Sequence, residues 1–397
     1  MEKTKGRIHV IDGIRGFSLF GILSANMLIF QYSINGSPTM DMFTMSGLDE
    51  WMNHFIAIAI TGSFMPIFAF LFGYSMIMMS QSLENKGLKV KWHLFKRSLF
   101  LIIIGLLHGI FLWEGDILFS YGTLMLILIL FVRRKAKTVL IWAISTWVIT
   151  FAFIGLGSFV GGGVEEISNP QSLQAYMEKT VDIYGSGTYQ EIKEHRNNAE
   201  LIEEDEPVLF LAVFVAIFML PIFLMGIYAA KKQWFVQMQG KGRRYGLLAG
   251  VLIFLGITLK ALAELGPSFS FTDFGQMIGT FILAFGYIFL IAALYNQAWF
   301  SNKMQWFEAV GKLSLTNYLL QSVICTTIFY GYGFGLFGKL GVTLGFVLGI
   351  VIYLLQLIAS RYYLTHFQAG PMEKLIRTWT YFSFKRKKKH RTLNENV

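Results

Sequence analysis

His108 and Asp116 are the side chains of this sequence best placed for acid–base chemistry. They lie on the two arms of a tight turn at Trp113-Glu114-Gly115-Asp116, and each arm is an apolar run between Leu101 and Leu130. At 1.5 Å of helical rise per residue, the imidazole sits roughly 8 Å below the turn. A carboxylate beside an imidazole is the usual way of orienting a general base. The alternative is structural: His108 is satisfied by a neighbouring helix and Asp116 caps the second arm. Ionisable groups at membrane depth are functional candidates by default.

A greasy bundle must hold them. The 397 residues are 54% hydrophobic and only 15% charged, with mean hydropathy +0.53, whereas a soluble domain carries about 25% charged residues. Ten apolar runs are read near residues 14–33, 54–79, 98–113, 116–132, 138–160, 208–230, 245–265, 274–294, 310–330 and 335–359. Most are long enough to cross ~30 Å of hydrocarbon. The expectation is an all-α polytopic bundle of about ten transmembrane helices over residues 1–360. An extracytoplasmic helical loop spans 161–207, and a cytoplasmic interfacial helix and basic tail span 361–397.

Charge orients this bundle. With the N-terminus inside, the inner segments carry 28 of the 34 Lys and Arg residues. The positive-inside rule then predicts cytoplasmic N- and C-termini. The basic run Lys385-Arg386-Lys387-Lys388-Lys389 reads as a tail on anionic lipid, not as a nucleic-acid site. The first apolar run lacks a clear cleavage site and is expected to remain as a signal anchor. Cys325, the one cysteine, permits no intrachain disulfide, and no metal site is expected.

Other polar groups interrupt the apolar runs. Asp12-Gly13-Ile14-Arg15-Gly16 opens the first span. Asp12 either caps the helix while Arg15 snorkels, or the helix start and guanidinium form an anion site. Asn26 lies about 16 Å deeper and needs an interhelical partner. Ser314, Asn317 and Gln321 share one face of the ninth span, as interhelical glue or as a cavity wall. His54 falls near the outer face as a lone interfacial histidine. Lys260 and Glu264 are expected to pair and snorkel, as are Glu373 and Arg377 to pair on the interfacial helix. The 161–207 loop is too long for a simple connector and reads as a lid, a binding element or an inert cap.

At these residues the sequence resembles the YeiB-like bacterial membrane proteins defined by the DUF418 domain. The resemblance is carried by Asp12 to Gly16 with Asn26, by Phe68 to Tyr74, and by Gly105-Leu106-Leu107-His108 leading to Trp113 through Tyr121. It continues in Gly311 to Ser322 and in Gly370-Pro371-Met372-Glu373 with Arg377 and Tyr381. That family is similar in turn to multi-pass acyltransferases, including the lysosomal enzyme that acetylates heparan glucosamine. There the acyl group of cytoplasmic acyl-CoA passes to an acceptor beyond the membrane. Ser63 stands where the heparan enzyme's pattern has an acidic residue.

The resemblance implies a bacterial plasma-membrane acyltransferase. Arg15 would hold acyl-CoA phosphates; Asn26, Asn317 and Gln321 would line the passage; His108, oriented by Asp116, would deprotonate the acceptor. The second reading is a transporter or exporter of a small molecule or lipid with the same buried polar groups. The third is a non-catalytic membrane partner that uses the 161–207 segment. Expected partners are membrane lipids and a small-molecule or cell-envelope acceptor, with no nucleic acid; self-association as a homo-oligomer is left open.

Overall fold

The computed structural model describes residues 8–37, 40–160, 170–197, 208–236, 240–266 and 272–382. The Lys385–Lys389 run, Gly161–Gly163 and the acidic Glu203–Glu206 run lie outside the described residues. Every regular element among the described residues is helical. From the N-terminus come α1 (His9–Gly36), a short 3-10 turn (Met40–Met42), α2 (Gly47–Ala59), α3 (Phe64–Asn85), α4 (Val90–Phe111), α5 (Leu118–Leu128) and α6 (Ala136–Val160). Two polar helices follow, α7 (Pro170–Ser186) and α8 (Tyr189–Asn197), then α9 (Val208–Lys231), α10 (Gly242–Leu265) and α11 (Thr272–Leu294). The chain closes with α12 (Ala298–Lys312), α13 (Ser314–Phe329), α14 (Gly341–His366) and α15 (Pro371–Tyr381).

Among the described residues, seven stretches are long and apolar enough to cross a membrane: α1, α2 and α3 taken together, α4, residues 136–153, α10, residues 274–294, and α14. α5 and residues 218–231 are shorter apolar helices. Leu247, Phe254, Phe153 and Leu355 remain exposed on long helices, as a lipid-facing surface requires. These features fit a multi-pass membrane protein.

Segments rich in Lys and Arg gather at one end of the bundle. Lys96 Nζ donates to Phe382 O (2.6 Å) and Trp379 Nε1 to Lys96 O (2.8 Å), tying α15 to α4. Lys231 Nζ donates to Val132 O (2.6 Å), and His9 meets Glu308 at 2.7 Å. At the opposite end, Thr343 N–H donates to Asp49 (2.9 Å) and the Tyr184 hydroxyl to Glu114 (3.1 Å).

Helices in lipid associate through close packing rather than through water release, so small residues decide where backbones touch. A methyl added at Gly16 would lie 2.0 Å from Phe307 O, and one at Gly311 1.9 Å from Asp12 O. These two glycines let α1 and α12 cross backbone to backbone at the Asp12–Gly16 motif. The motif differs from expectation in one respect. α1 starts at His9, so Asp12 is a buried member of the first turn instead of its cap, with its carboxylate 3.4 Å from Arg15.

Three other expected details are overturned. Lys260 does not pair with Glu264: it is buried and donates to Thr61 O (2.6 Å) and Ser63 Oγ (3.2 Å). The break between α2 and α3 frees acceptors there, and an ammonium with three donors satisfies them. Glu264 instead meets His54 at 2.9 Å, so that histidine is not alone. Glu373 does not pair with Arg377. The ninth apolar run breaks at Leu313, and the Glu373 carboxylate accepts the Leu315 and Thr316 N–H groups (2.8 and 3.1 Å) and the Thr316 hydroxyl (2.6 Å) at the start of α13. Free N–H groups at a helix start outcompete a distant guanidinium for a carboxylate.

Candidate functional site

α4 and α5 form a hairpin so tight that a methyl at Gly105 would lie 2.2 Å from Phe119 N and 2.8 Å from Asp116 Oδ2. Ser98 Oγ adds a hydrogen bond to Gly122 O (2.6 Å) lower down. α5 has 11 residues and rises about 16 Å, roughly half of the ~30 Å hydrocarbon layer.

The two arms bring His108 and Asp116 together. His108 Nδ1 lies 2.8 Å from Asp116 Oδ1, and both side chains are at least 95% buried. Asp116 Oδ2 accepts the Phe119 N–H at 2.8 Å, so the carboxylate caps α5 and holds the imidazole at once. An ionised carboxylate only accepts, which places the imidazole proton on Nδ1 and leaves the Nε2 lone pair as the acceptor. That Nε2 is buried and has no hydrogen-bond partner among the described residues. The ring is flanked by Trp113 and Tyr318, with centroids 6.3 and 5.5 Å away. Trp113 in turn stacks on Phe30 at 4.1 Å.

Tyr318 was not legible as a site residue in the sequence, although it adjoins Asn317. Its hydroxyl accepts the Ile117 N–H (3.2 Å) and donates to Gly115 O (3.3 Å), pinning the turn that carries Asp116. Its other side lines a cavity of about 470 Å³. Arg15, Lys86, Arg97, Lys312 and Arg377 face this cavity, together with one acid, Glu373. Phe68, Phe72, Met76, Met79 and Met125 give it an apolar wall. Arg15 also donates to the Ser75 hydroxyl, which keeps its guanidinium inside the bundle.

The remaining expected site residues lie elsewhere. Asn317 Nδ2 donates to Ser360 Oγ (3.0 Å), Gln321 Nε2 to Gln356 Oε1 (2.8 Å), and Gln356 Nε2 to Asn317 O (3.1 Å). They form a seam between α13 and α14. Neither they nor the half-buried Asn26 line the basic cavity. His108 also stands behind Tyr318, not on the cavity surface.

Over the turn lies the α7–α8 pair. Arg196 donates to Leu112 O (3.0 Å) and Ile110 O (2.7 Å), and the Tyr189 hydroxyl to Phe111 O (2.7 Å). These are terminal carbonyls of α4 that have no intrahelical donor. The Tyr184 hydroxyl donates to Glu114, and its backbone carbonyl accepts the Gly331 N–H at 2.7 Å. Burial pushes the Glu114 carboxyl above its ordinary range, while Arg196 and the Tyr184 hydroxyl pull it back.

Relatives match this chain over nearly its whole length. "Uncharacterized protein YxaH" of Bacillus subtilis (strain 168) is 32% identical over 395 residues, covering 96% of both chains. The family model described as a protein of unknown function, DUF418, matches residues 229–383. The chain belongs to the YeiB-like DUF418 family. "Uncharacterized protein YeiB" of Escherichia coli (strain K12) is 28% identical over 394 residues, 93% of this chain and 95% of the relative. The DUF418 match takes in α10 to α15, and so Tyr318, Arg377 and the α13–α14 seam. The His108–Asp116 hairpin lies before that stretch but inside the full-length similarity to YxaH and YeiB.

Proposed function

We propose that this DUF418 protein is an integral-membrane acyltransferase of the bacterial plasma membrane, taking its acyl group from cytoplasmic acyl-CoA. The observation that carries this reading is a cavity lined by basic and apolar side chains, one wall of which is the tyrosine packed against the His108–Asp116 pair. A phosphate-bearing, fatty donor matches both surfaces. The family's remote likeness to multi-pass acyltransferases supports the same class.

In this mechanism Asp116 fixes the imidazole tautomer, Tyr318 moves aside to join the imidazole to the cavity, and His108 Nε2 takes the proton of an acceptor hydroxyl. The acceptor oxygen forms a bond to the thioester carbonyl carbon, the C–S bond breaks, and the coenzyme A thiolate leaves with a proton returned by the imidazolium. The basic end is cytoplasmic in this scheme, and acceptor reaches the pair from the side covered by α7 and α8. The acceptor belongs to lipid or cell-envelope material.

A transport reading draws on a different observation: the cavity is lined by basic residues, while α7–α8 covers the turn that carries Asp116. Melting of the purified protein separates the two, because a ligand that binds the native state raises its stability by mass action. The acyltransferase reading expects stabilisation by acyl-CoA above that by free coenzyme A, and incorporation of labelled acyl groups into a bacterial lipid extract. Neither stabilisation nor incorporation, with saturable solute uptake in liposomes, would replace it with transport.

A further inference from the structure

The cations facing the basic cavity are not equally matched. Arg15 has Asp12 at 3.4 Å, and Lys312 has Glu308 at 3.9 Å. Lys86 lies over the Tyr381 ring at 5.1 Å, a contact that leaves its charge uncompensated. Arg97 and Arg377 make no hydrogen bond or close ion pair with a described residue; Arg97 feels the repulsion of Arg15 and, at longer range, the attraction of Glu373. Against Lys86, Arg97 and Arg377 the cavity sets one carboxylate, Glu373, which is already committed to three donors at the start of α13.

Arg97 is half-buried, where a guanidinium without a close partner is costly, whereas Arg377 and Lys86 are exposed at the cavity's edge and open to a ligand. Two unmatched positive charges, each arginine a five-donor fork, suit an anion with several acceptor oxygens and a charge near −2. The apolar residues Phe72, Met76 and Met125 line the same cavity and suit a hydrocarbon stem.

We infer that Arg97 and Arg377 form a binding site for a phosphate or diphosphate carried on an apolar stem, with Lys86 as its third cation. This deepens the acyltransferase reading and rests on the same cavity, but it concerns recognition and not turnover. Two sources share the chemistry: the diphosphate of an acyl-CoA, and the head of an alkyl or prenyl diphosphate lipid. On either, the stem runs toward Tyr318 and the phosphates stay with the arginines.

Equilibrium binding to purified full-length protein tests it, with decanoyl-CoA, free coenzyme A, decyl diphosphate and inorganic diphosphate as probes. Each truncated charge-assisted contact is worth about a 10-fold change in Kd or more. Arg97→Gln is therefore expected to weaken the tightest probe about 10-fold, with Arg377→Gln similar. Lys303→Gln, which removes an equal charge elsewhere, should leave Kd unchanged. Tight decanoyl-CoA with weak decyl diphosphate names the thioester donor; the reverse names a lipid diphosphate, and both retain the site. Arg97→Lys, which keeps the charge, covers the event that Arg97→Gln does not fold. Equal affinities in wild type and both Gln variants would overturn the site, as would binding of none of the probes. Diphosphate-dependent binding without any acyl transfer would leave the site standing and remove the enzyme reading alone.

Discussion

The α13–α14 seam and the α4–α5 hairpin both bury polar side chains in apolar helices, yet they spend their hydrogen bonds in opposite ways. In the seam, Asn317, Gln321, Gln356 and Ser360 bond to one another across the helices. In the hairpin, Asp116 is fully engaged by His108 and Phe119, and the imidazole is held on one side only, with Nε2 left without a partner. Buried polar atoms are normally paired, and each exception calls for a reason. The contrast makes the hairpin the candidate site: the seam consumes its capacity to hold two helices, whereas the hairpin leaves one ring nitrogen unpaired among the described residues.

The strongest way to break this contrast is Asp116→Asn. The amide retains an oxygen for the Phe119 N–H but presents a donor to Nδ1, so the imidazole proton moves to Nε2 and the base is lost. Acyl transfer should fall about 10²- to 10⁴-fold with melting little changed. An unaltered rate would show that the pair is structural. Arg196→Ala acts next, on the cover of the hairpin. It strips donors from two α4 carbonyls and should cost about 1–3 kcal/mol, read as lower stability together with faster protease cleavage in 170–197. Unchanged protection would mean that α7–α8 is held by other contacts.

Within the seam the effect should be smaller and thermodynamic. Gln321→Leu leaves Gln356 Oε1 without its donor and is expected to cost about 1 kcal/mol. Gln321→Leu with Gln356→Leu should cost less than the two single changes added. Strict additivity in that cycle would deny the interaction. The smallest effect concerns Glu114. Its carboxyl is raised in the folded state, so its contribution to stability is present below the unfolded glutamate value of about 4.3 and is lost as pH rises through the folded value. Melting of wild type minus Glu114→Gln should therefore change across that window and be flat below it. A flat difference at all pH values would contradict the burial argument.

Much of this architecture was legible in the sequence because apolar runs report helices locally. The same is true of the His108–Asp116 approach, since a short turn forces its two arms together. The failures are tertiary. Lys260 was read with the acid one turn away, but its ammonium meets carbonyl and hydroxyl groups freed about 200 residues earlier at the α2–α3 break. Glu373 was likewise read along its own helix and serves another. Tyr318 and Arg97 carried weak signals, a tyrosine and a guanidinium inside greasy stretches, and nothing in their spacing says that they share a cavity with Arg15. The ninth run looked like one span, whereas the break at Leu313 creates the N-terminus that captures Glu373.

The most direct measurement compares labelled acyl transfer from acyl-CoA by wild type, His108→Ala and Gln321→Ala, reconstituted side by side at matched amounts of folded protein. The account predicts a loss of at least about 10²-fold for His108→Ala, as expected for removal of a general base, and a near wild-type rate for Gln321→Ala. Equal rates for wild type and His108→Ala would contradict it.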